Sequence, residues 1–246
     1  MVGIIIRGSN RFQWMHAATP SSDRLAQPRA VLFDVFGTLL DVYSVGLRAE
    51  QMFPGAGERL ARAWRDRQIE YSRLVSMSGQ YRPFWQLTRD ALQVTAAALG
   101  LPLDDAGTDS LMNEYRHLSA FPENRAVLLA LADRGVPIGV LSNGDPDMLD
   151  VTLRSAGLIE LLDPVLSVHP ARRYKTDPAA YALGPDALGL QASEILFVSS
   201  NCWDAIGATW YGYTTLWINR ADAPMERLGI APTRVGRSLR DVLEFF

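Results

Sequence analysis

Four places in the chain carry side chains suited to chemistry, and each follows a short apolar run. Val31, Leu32 and Phe33 lead to Asp34, with Gly37 and Thr38 behind it. Leu141 leads to Ser142 and Asn143, and Phe197 and Val198 lead to Ser199, Asn201 and Asp204. Lys175 follows the run that ends near Val168. Apolar runs without polar alternation read as strands buried on both faces, and open parallel sheets bind ligands outside the carboxyl ends of such strands. A carboxylate there is badly solvated unless its charge is used. Alone, Asp34 reads as an acid opening a loop; with four polar strand ends on one edge it reads as part of a site. The familiar alternatives do not fit. There is no G-x-G-x-x-G after a strand, no Walker lysine loop and no G-x-S-x-G elbow. His16, His117 and His169 are scattered, so a serine nucleophile has no obvious base. A carboxylate is the best nucleophile on offer, and its chemistry would be displacement through an ester intermediate.

The elements that must position these groups come from the pattern of the whole chain. Helices are expected over residues 56–78, where Leu60, Trp64, Tyr71 and Val75 share a side, over 84–98, and after Asp109. Helix and strand then alternate: helix 123–134, strand 136–141, helix 146–156, strand 165–168 and helix 178–188. Strand 195–198, a helix from Trp203, strand 215–218 and a terminal helix over 238–245 complete the series. Such alternation implies an α/β fold with a doubly wound parallel sheet. Roughly 95 residues separate the first strand from the second, far more than one crossover helix needs. Residues 42–120 are therefore expected to be a helical cap inserted into a Rossmann-like core of residues 30–41 and 121–246.

Composition excludes several classes. Hydrophobic residues make up 48% and charged residues 21%, which is globular rather than disordered. A formal net charge of −3 gives no basic surface, so nucleic acid is not an expected partner. One cysteine, Cys202, rules out an intrachain disulfide and fits a reducing cytoplasm. With three histidines, a structural zinc site is not expected either. No apolar run approaches the roughly 20 residues of a membrane span. Residues 1–29 are set apart as a mobile leader: Arg7 interrupts Ile4, Ile5 and Ile6, and Met15 offers an alternative start.

Taken in order, Asp34-Val-Phe-Gly-Thr38, Leu141-Ser-Asn-Gly144, Tyr174-Lys175 and Phe197-Val-Ser-Ser-Asn-Cys-Trp-Asp204 resemble the haloacid dehalogenase superfamily. More narrowly, they resemble its L-2-haloacid dehalogenase (type II) branch. Trp64-Arg65, Glu70-Tyr71, Tyr181 and Trp217-Ile-Asn-Arg220 extend the likeness over residues 30–246. The branch can be argued physically. Phosphatase members carry a second aspartate two residues after the nucleophile; here that position is Phe36, which cannot transfer a proton. The last motif offers one carboxylate, Asp204, where a magnesium site usually has paired acids. Halide leaves without protonation, so the resemblance implies a metal-independent hydrolase with no cofactor.

The resemblance implies roles. Asp34 would attack C2 of a short 2-haloacid, and Lys175 would pair with it. Asp204, Asn201 and Ser199 would position these two and the hydrolytic water. Thr38 would hydrogen-bond Asp34, or serve only as a turn or cap residue, and Asn201 has the same turn alternative. Ser142 and the Asn143 backbone would bind the substrate carboxylate, and Arg65 from the cap would receive the halide. Tyr181 supplies a hydroxyl near the lysine or is simply core. Phe36, Phe84 and Trp203 would line the substrate, though aromatics are more often core. The chain departs from the family at Phe36 (often Tyr), Asp66 (often Gln), His169 (usually Asp) and Thr176 (usually Pro). The expected partners are a small 2-substituted carboxylic acid, water and a second copy of the chain in a homodimer. Two rival readings remain. The same nucleophile could open azetidine-2-carboxylate, with Asp66 steadying the developing ammonium, or the chain could bind a small carboxylate without turning it over.

Overall fold

The computed structural model describes residues 27–246. The leader expected over residues 1–29 therefore falls almost wholly outside the described residues. Strand β1 (Ala30–Phe33) is wholly buried and lies in the middle of a six-stranded sheet. The other strands are β2 (Ile138–Ser142), β3 (Val165–Ser167), β4 (Ile195–Ser199), β5 (Thr214–Ile218) and β6 (Arg234–Gly236), in the order β3-β2-β1-β4-β5-β6. Every pairing is parallel, with Phe33 opposite Val140 on one side and Val198 on the other. Chain order reverses direction across the sheet at β1, so a crevice opens at its carboxyl end, where Asp34 stands.

Helices α1 (Val45–Met52), α2 (Gly57–Ser78), α3 (Phe84–Ala98) and α4 (Asp105–Arg116) lie in sequence between β1 and β2. They pack on one another through Leu60, Trp64, Leu87, Ala91, Leu111 and Tyr115, all buried. Helices α5 (Asn124–Asp133), α6 (Pro146–Ser155), α7 (Pro178–Leu188) and α8 (Cys202–Tyr211) connect the strands. Among the described residues no helix is long and apolar enough to cross a membrane.

Four elements differ from the sequence expectation. Helix α1 is unannounced because it is short and buries only Val45 and Ala49, too few to set a period. Helix α4 starts before Asp109, because Asp104 accepts the Gly107 N–H at 2.7 Å and caps it. Strand β6 is not foreshadowed by the pattern; it is a three-residue edge strand with Arg234 and Val235 exposed, too short to alternate. The terminal helix is 3-10 (Leu239–Glu244), where Leu239 and Val242, three apart, fall on the same buried side.

Candidate active site

The chain leaves β1 with the Asp34 N–H still bonded to Val198 O at 2.9 Å, so the sheet itself fixes the Asp34 backbone. Gly37 then adopts φ +98°, open to glycine without steric cost, and the N–H groups of Thr38, Leu39 and Leu40 all turn onto Val35 O. This turn brings Thr38 Oγ1 back to Asp34, donating to Oδ2 at 2.9 Å. Asn201 Nδ2, from the turn after β4, donates to the same oxygen at 2.9 Å. Lys175 Nζ donates to Oδ1 at 3.2 Å. One nearly buried carboxylate thus accepts three donors from three separate segments.

Lys175 is buried and spans two acids, with Asp204 Oδ2 3.0 Å from its Nζ. Its backbone is set by Asn143 Oδ1, which accepts the Lys175 N–H at 3.0 Å. Asp204 is fully buried on α8. Burial pushes its carboxyl up from the usual range, Lys175 opposes that push, and Asp34 adds to it. Tyr181 on α7 donates to Asp204 Oδ1 at 2.7 Å, and burial holds its own hydroxyl well above the usual value. Gly207 makes room for this hydroxyl, since a Cβ there would stand 2.5 Å from it. Tyr181→Phe leaves a buried carboxylate short of a donor. It should cost about 1–3 kcal/mol of unfolding free energy, read as a lowered urea midpoint with an unchanged slope.

Behind this row lies a set of clamps. Thr38 Oγ1 accepts the Ser200 N–H at 2.8 Å, and Ser199 Oγ accepts the Asn201 N–H at 3.1 Å. Ser142 Oγ accepts the Gly144 N–H at 3.2 Å. Arg220 donates to Ser200 Oγ, Thr38 O and Glu123, and its guanidinium lies 3.8 Å from the centre of the Phe121 ring. Arg220 therefore joins the turns after β1 and β4 to the start of α5.

Side chains of α2 and α3 lie against the turn that carries Asp34. Arg65, buried on α2, donates to Phe36 O at 2.9 Å and to Gln68 Oε1 at 2.7 Å. Gln68 in turn takes the Tyr115 hydroxyl and donates to Thr88. The Phe36 ring packs on Tyr115 and Phe84 with centroids 5.7 and 6.0 Å apart. Asp34, Phe36, Arg65, Phe84, Asn143, Asn201 and Trp203 border one narrow cavity of about 10 Å³, space for roughly one water. A second cavity of about 450 Å³ lies outside it and shares Arg65, Ile69 and Asn201.

Not every expected residue reaches the cavity. Tyr181 lies near the lysine as expected, bonded to the Asp204 carboxylate that Lys175 pairs with, but does not border the cavity; Ser142, whose hydroxyl oxygen accepts the Gly144 N–H of its own turn, does not border it either. Ser199 braces Asn201 rather than touching Asp34. Asp66 is exposed and turned away from the cavity, bordering the outer space instead. Ile69 and Ser72 also border the inner cavity, and Gln68 and Arg220 support the site, roles that sequence reasoning does not assign them. The spacing of Gln68 three residues after Arg65, on the face of α2 that points inward, is the one available signal.

A doubly wound α/β fold with a buried carboxylate, a shared ammonium and a second carboxylate at its strand ends defines the class of hydrolases that use an aspartate nucleophile. The haloacid dehalogenase-like hydrolase family matches residues 28–212, and the chain belongs to that family. It is 43% identical over 218 residues to an (S)-2-haloacid dehalogenase of Pseudomonas sp. (strain YL), covering 89% of this chain and 94% of that one. The crystal structure of an L-2-haloacid dehalogenase superposes with a TM-score of 0.87 at 55% identity, over 89% of this chain and 99% of the other. The L-2-haloacid dehalogenase of Xanthobacter autotrophicus with chloropropionic acid covalently bound matches with a TM-score of 0.82 at 35% identity, over 88% and 97%.

Proposed function

We propose that this protein hydrolyses short (S)-2-haloalkanoic acids to (R)-2-hydroxy acids through an ester on Asp34. The observation that carries the reading is the Asp34 carboxylate held by Lys175, Thr38 and Asn201 on one cavity with Arg65, two residues before a phenylalanine. An Asp34 oxygen attacks C2 from the side opposite the halogen; the new C–O bond forms as the carbon–halogen bond breaks, and halide departs with its electron pair toward Arg65. Inversion at C2 follows from this in-line geometry. Water then adds to the carbonyl carbon of the ester, the acyl C–O bond breaks, and the 2-hydroxy acid leaves with Asp34 restored and one proton released. Both oxygens of Asp34 and its carbonyl carbon are held rigidly by the three donors, which orient the group for each step.

Residues 42–120 act as the cap and residues 30–41 with 121–246 as the core in this reading. Asn143 and the loop around it take the substrate carboxylate, and Phe36, Phe84 and Trp203 enclose the alkyl and halogen side. Phe36 gives a leaving alkoxide no acid, which disfavours phosphate esters. Among the described residues no group of three or more His, Cys, Asp or Glu side chains is placed to hold a metal ion. The ring-opening alternative loses its motive, because Asp66 faces away from the cavity.

The test is halide release from L-2-chloropropionate by the purified protein, with and without chelator. Turnover that chelator does not change is expected, with D-lactate as product; no turnover, or dependence on added magnesium, sinks the proposal. A cytoplasmic location and a homodimer belong to the same reading, and sedimentation of that preparation checks the dimer.

A further inference from the structure

We propose that Asp145 is a positioning residue whose carboxylate sets the Phe84 wall of the active cavity against the loop that carries Asn143. The inference rests on the dehalogenase reading for its kinetic consequences, though not for its geometry. Asp145 occupies the N-cap of α6, where an aspartate ordinarily accepts an N–H of its own helix. It makes no such bond. Oδ1 instead accepts the Phe84 N–H at 3.0 Å and Oδ2 the Trp85 N–H at 2.7 Å, 61 and 60 residues away in sequence.

Those two residues open α3, whose own N-cap is Pro83, a residue with no acceptor in its side chain. First-turn N–H groups have no partner inside a helix, and a carboxylate is favoured at that positive end. One carboxylate has therefore left its own helix and capped another. The segment it holds is tied twice more to the turns around β3 and Lys175. The Tyr81 hydroxyl lies 2.9 Å from His169 Nδ1, and Tyr174 donates to Arg82 O at 2.6 Å. His169 Nδ1 is 3.5 Å from the Asp145 carboxylate, and Tyr81 stacks on Tyr174 with centroids 5.3 Å apart.

The position matters because of what lies on either side. Asn143 stands two residues before Asp145 and borders the cavity; Phe84, whose N–H Asp145 accepts, borders the same cavity. The two bonds thus tie the loop that carries Asn143 to the start of α3 that carries Phe84, two lining residues of the cavity assigned to the substrate. Removing them frees α3 to shift and widens the space beside Phe84.

The experiment compares Asp145→Ala, Asp145→Asn, Phe84→Ala and the Asp145→Ala/Phe84→Ala double variant on 2-chloropropionate, and measures amide exchange at Phe84 and Trp85 in the intact protein. Asp145→Ala should lower kcat/KM about tenfold, chiefly through KM, and Asp145→Asn, which keeps one of the two acceptors, should fall between it and the parent. In the Phe84→Ala background the Asp145→Ala change should add less than about twofold, since both act on one wall. Exchange at the two amides should quicken roughly tenfold in Asp145→Ala. Effects that add fully in the double variant, or a loss in kcat alone, would overturn the role; so would unchanged exchange. If the wild-type protein releases no halide, the dehalogenase reading fails, and amide exchange still decides whether Asp145 holds α3.

Discussion

Asp34→Asn is expected to reduce halide release by at least about 10⁴-fold while leaving the fold intact. The amide keeps the size of the carboxylate, and its oxygen can still accept from Lys175 or Thr38, so the turn at Gly37 has no reason to rearrange. What it lacks is the charge and the nucleophilic oxygen. Because the first bond cannot form, the loss should appear in kcat with no burst, and the circular dichroism spectrum should overlay that of the parent. Mass spectrometry gives the complementary reading. During turnover the peptide containing Asp34 should gain the mass of the acyl-linked acid, and the same peptide of the Asp34→Asn variant should not. An ester on any other residue, or an Asp34→Asn variant that turns over with its amide intact, would remove Asp34 from the role of nucleophile.

The second large effect is expected at Lys175. Lys175→Met keeps a similar length and removes the ammonium that stands 3.2 Å from Asp34 and 3.0 Å from Asp204. Breaking a buried ion pair from one side typically costs about 3–5 kcal/mol, because a buried charge is left without its partner. Here two acids are left facing each other. The pH dependence has a definite sign. Burial already raises the Asp204 carboxyl above its unfolded value, and Lys175 is the main group that opposes this, with the Tyr181 hydroxyl. Without Lys175 the folded value rises further, so the folded protein binds a proton more tightly than the unfolded chain does. Such a group favours folding below its unfolded value, near pH 4, and that contribution is lost as pH rises through the folded value. Urea denaturation should therefore find Lys175→Met less destabilised at about pH 5 than at about pH 8. Equal destabilisation at both would mean that Asp204 does not carry the strain. Turnover should be lost at either pH, since the acid that attacks is no longer oriented.

Both predictions depend on a row of charges whose members are far apart in the chain: Asp34 and Lys175 are separated by 141 residues. That they meet was legible without coordinates, because each follows a buried strand and parallel strands deliver their carboxyl ends to one edge. The motif likeness then ordered the ends. Most helix limits were equally legible, as with α3 (Phe84–Ala98), where an apolar stripe ends at Gly100. The less visible elements, α1 and β6, are short and bury little, so tertiary contact rather than pattern makes them.

Sequence alone determined the strand ends, the absence of an acid at Phe36 and the identity of the groups available for chemistry. These follow from residue type and local period, which need no knowledge of neighbours. Only the tertiary structure decided which way each side chain turned. It put Tyr181 against Asp204 and away from the cavity lining, aimed Asp66 outward, and gave Arg65 its partners Gln68 and Phe36 O. It also turned Asp145 away from the helix it begins and toward α3. A side chain's direction is settled by whichever donor packs within about 3 Å of it, and that donor can come from any part of the chain.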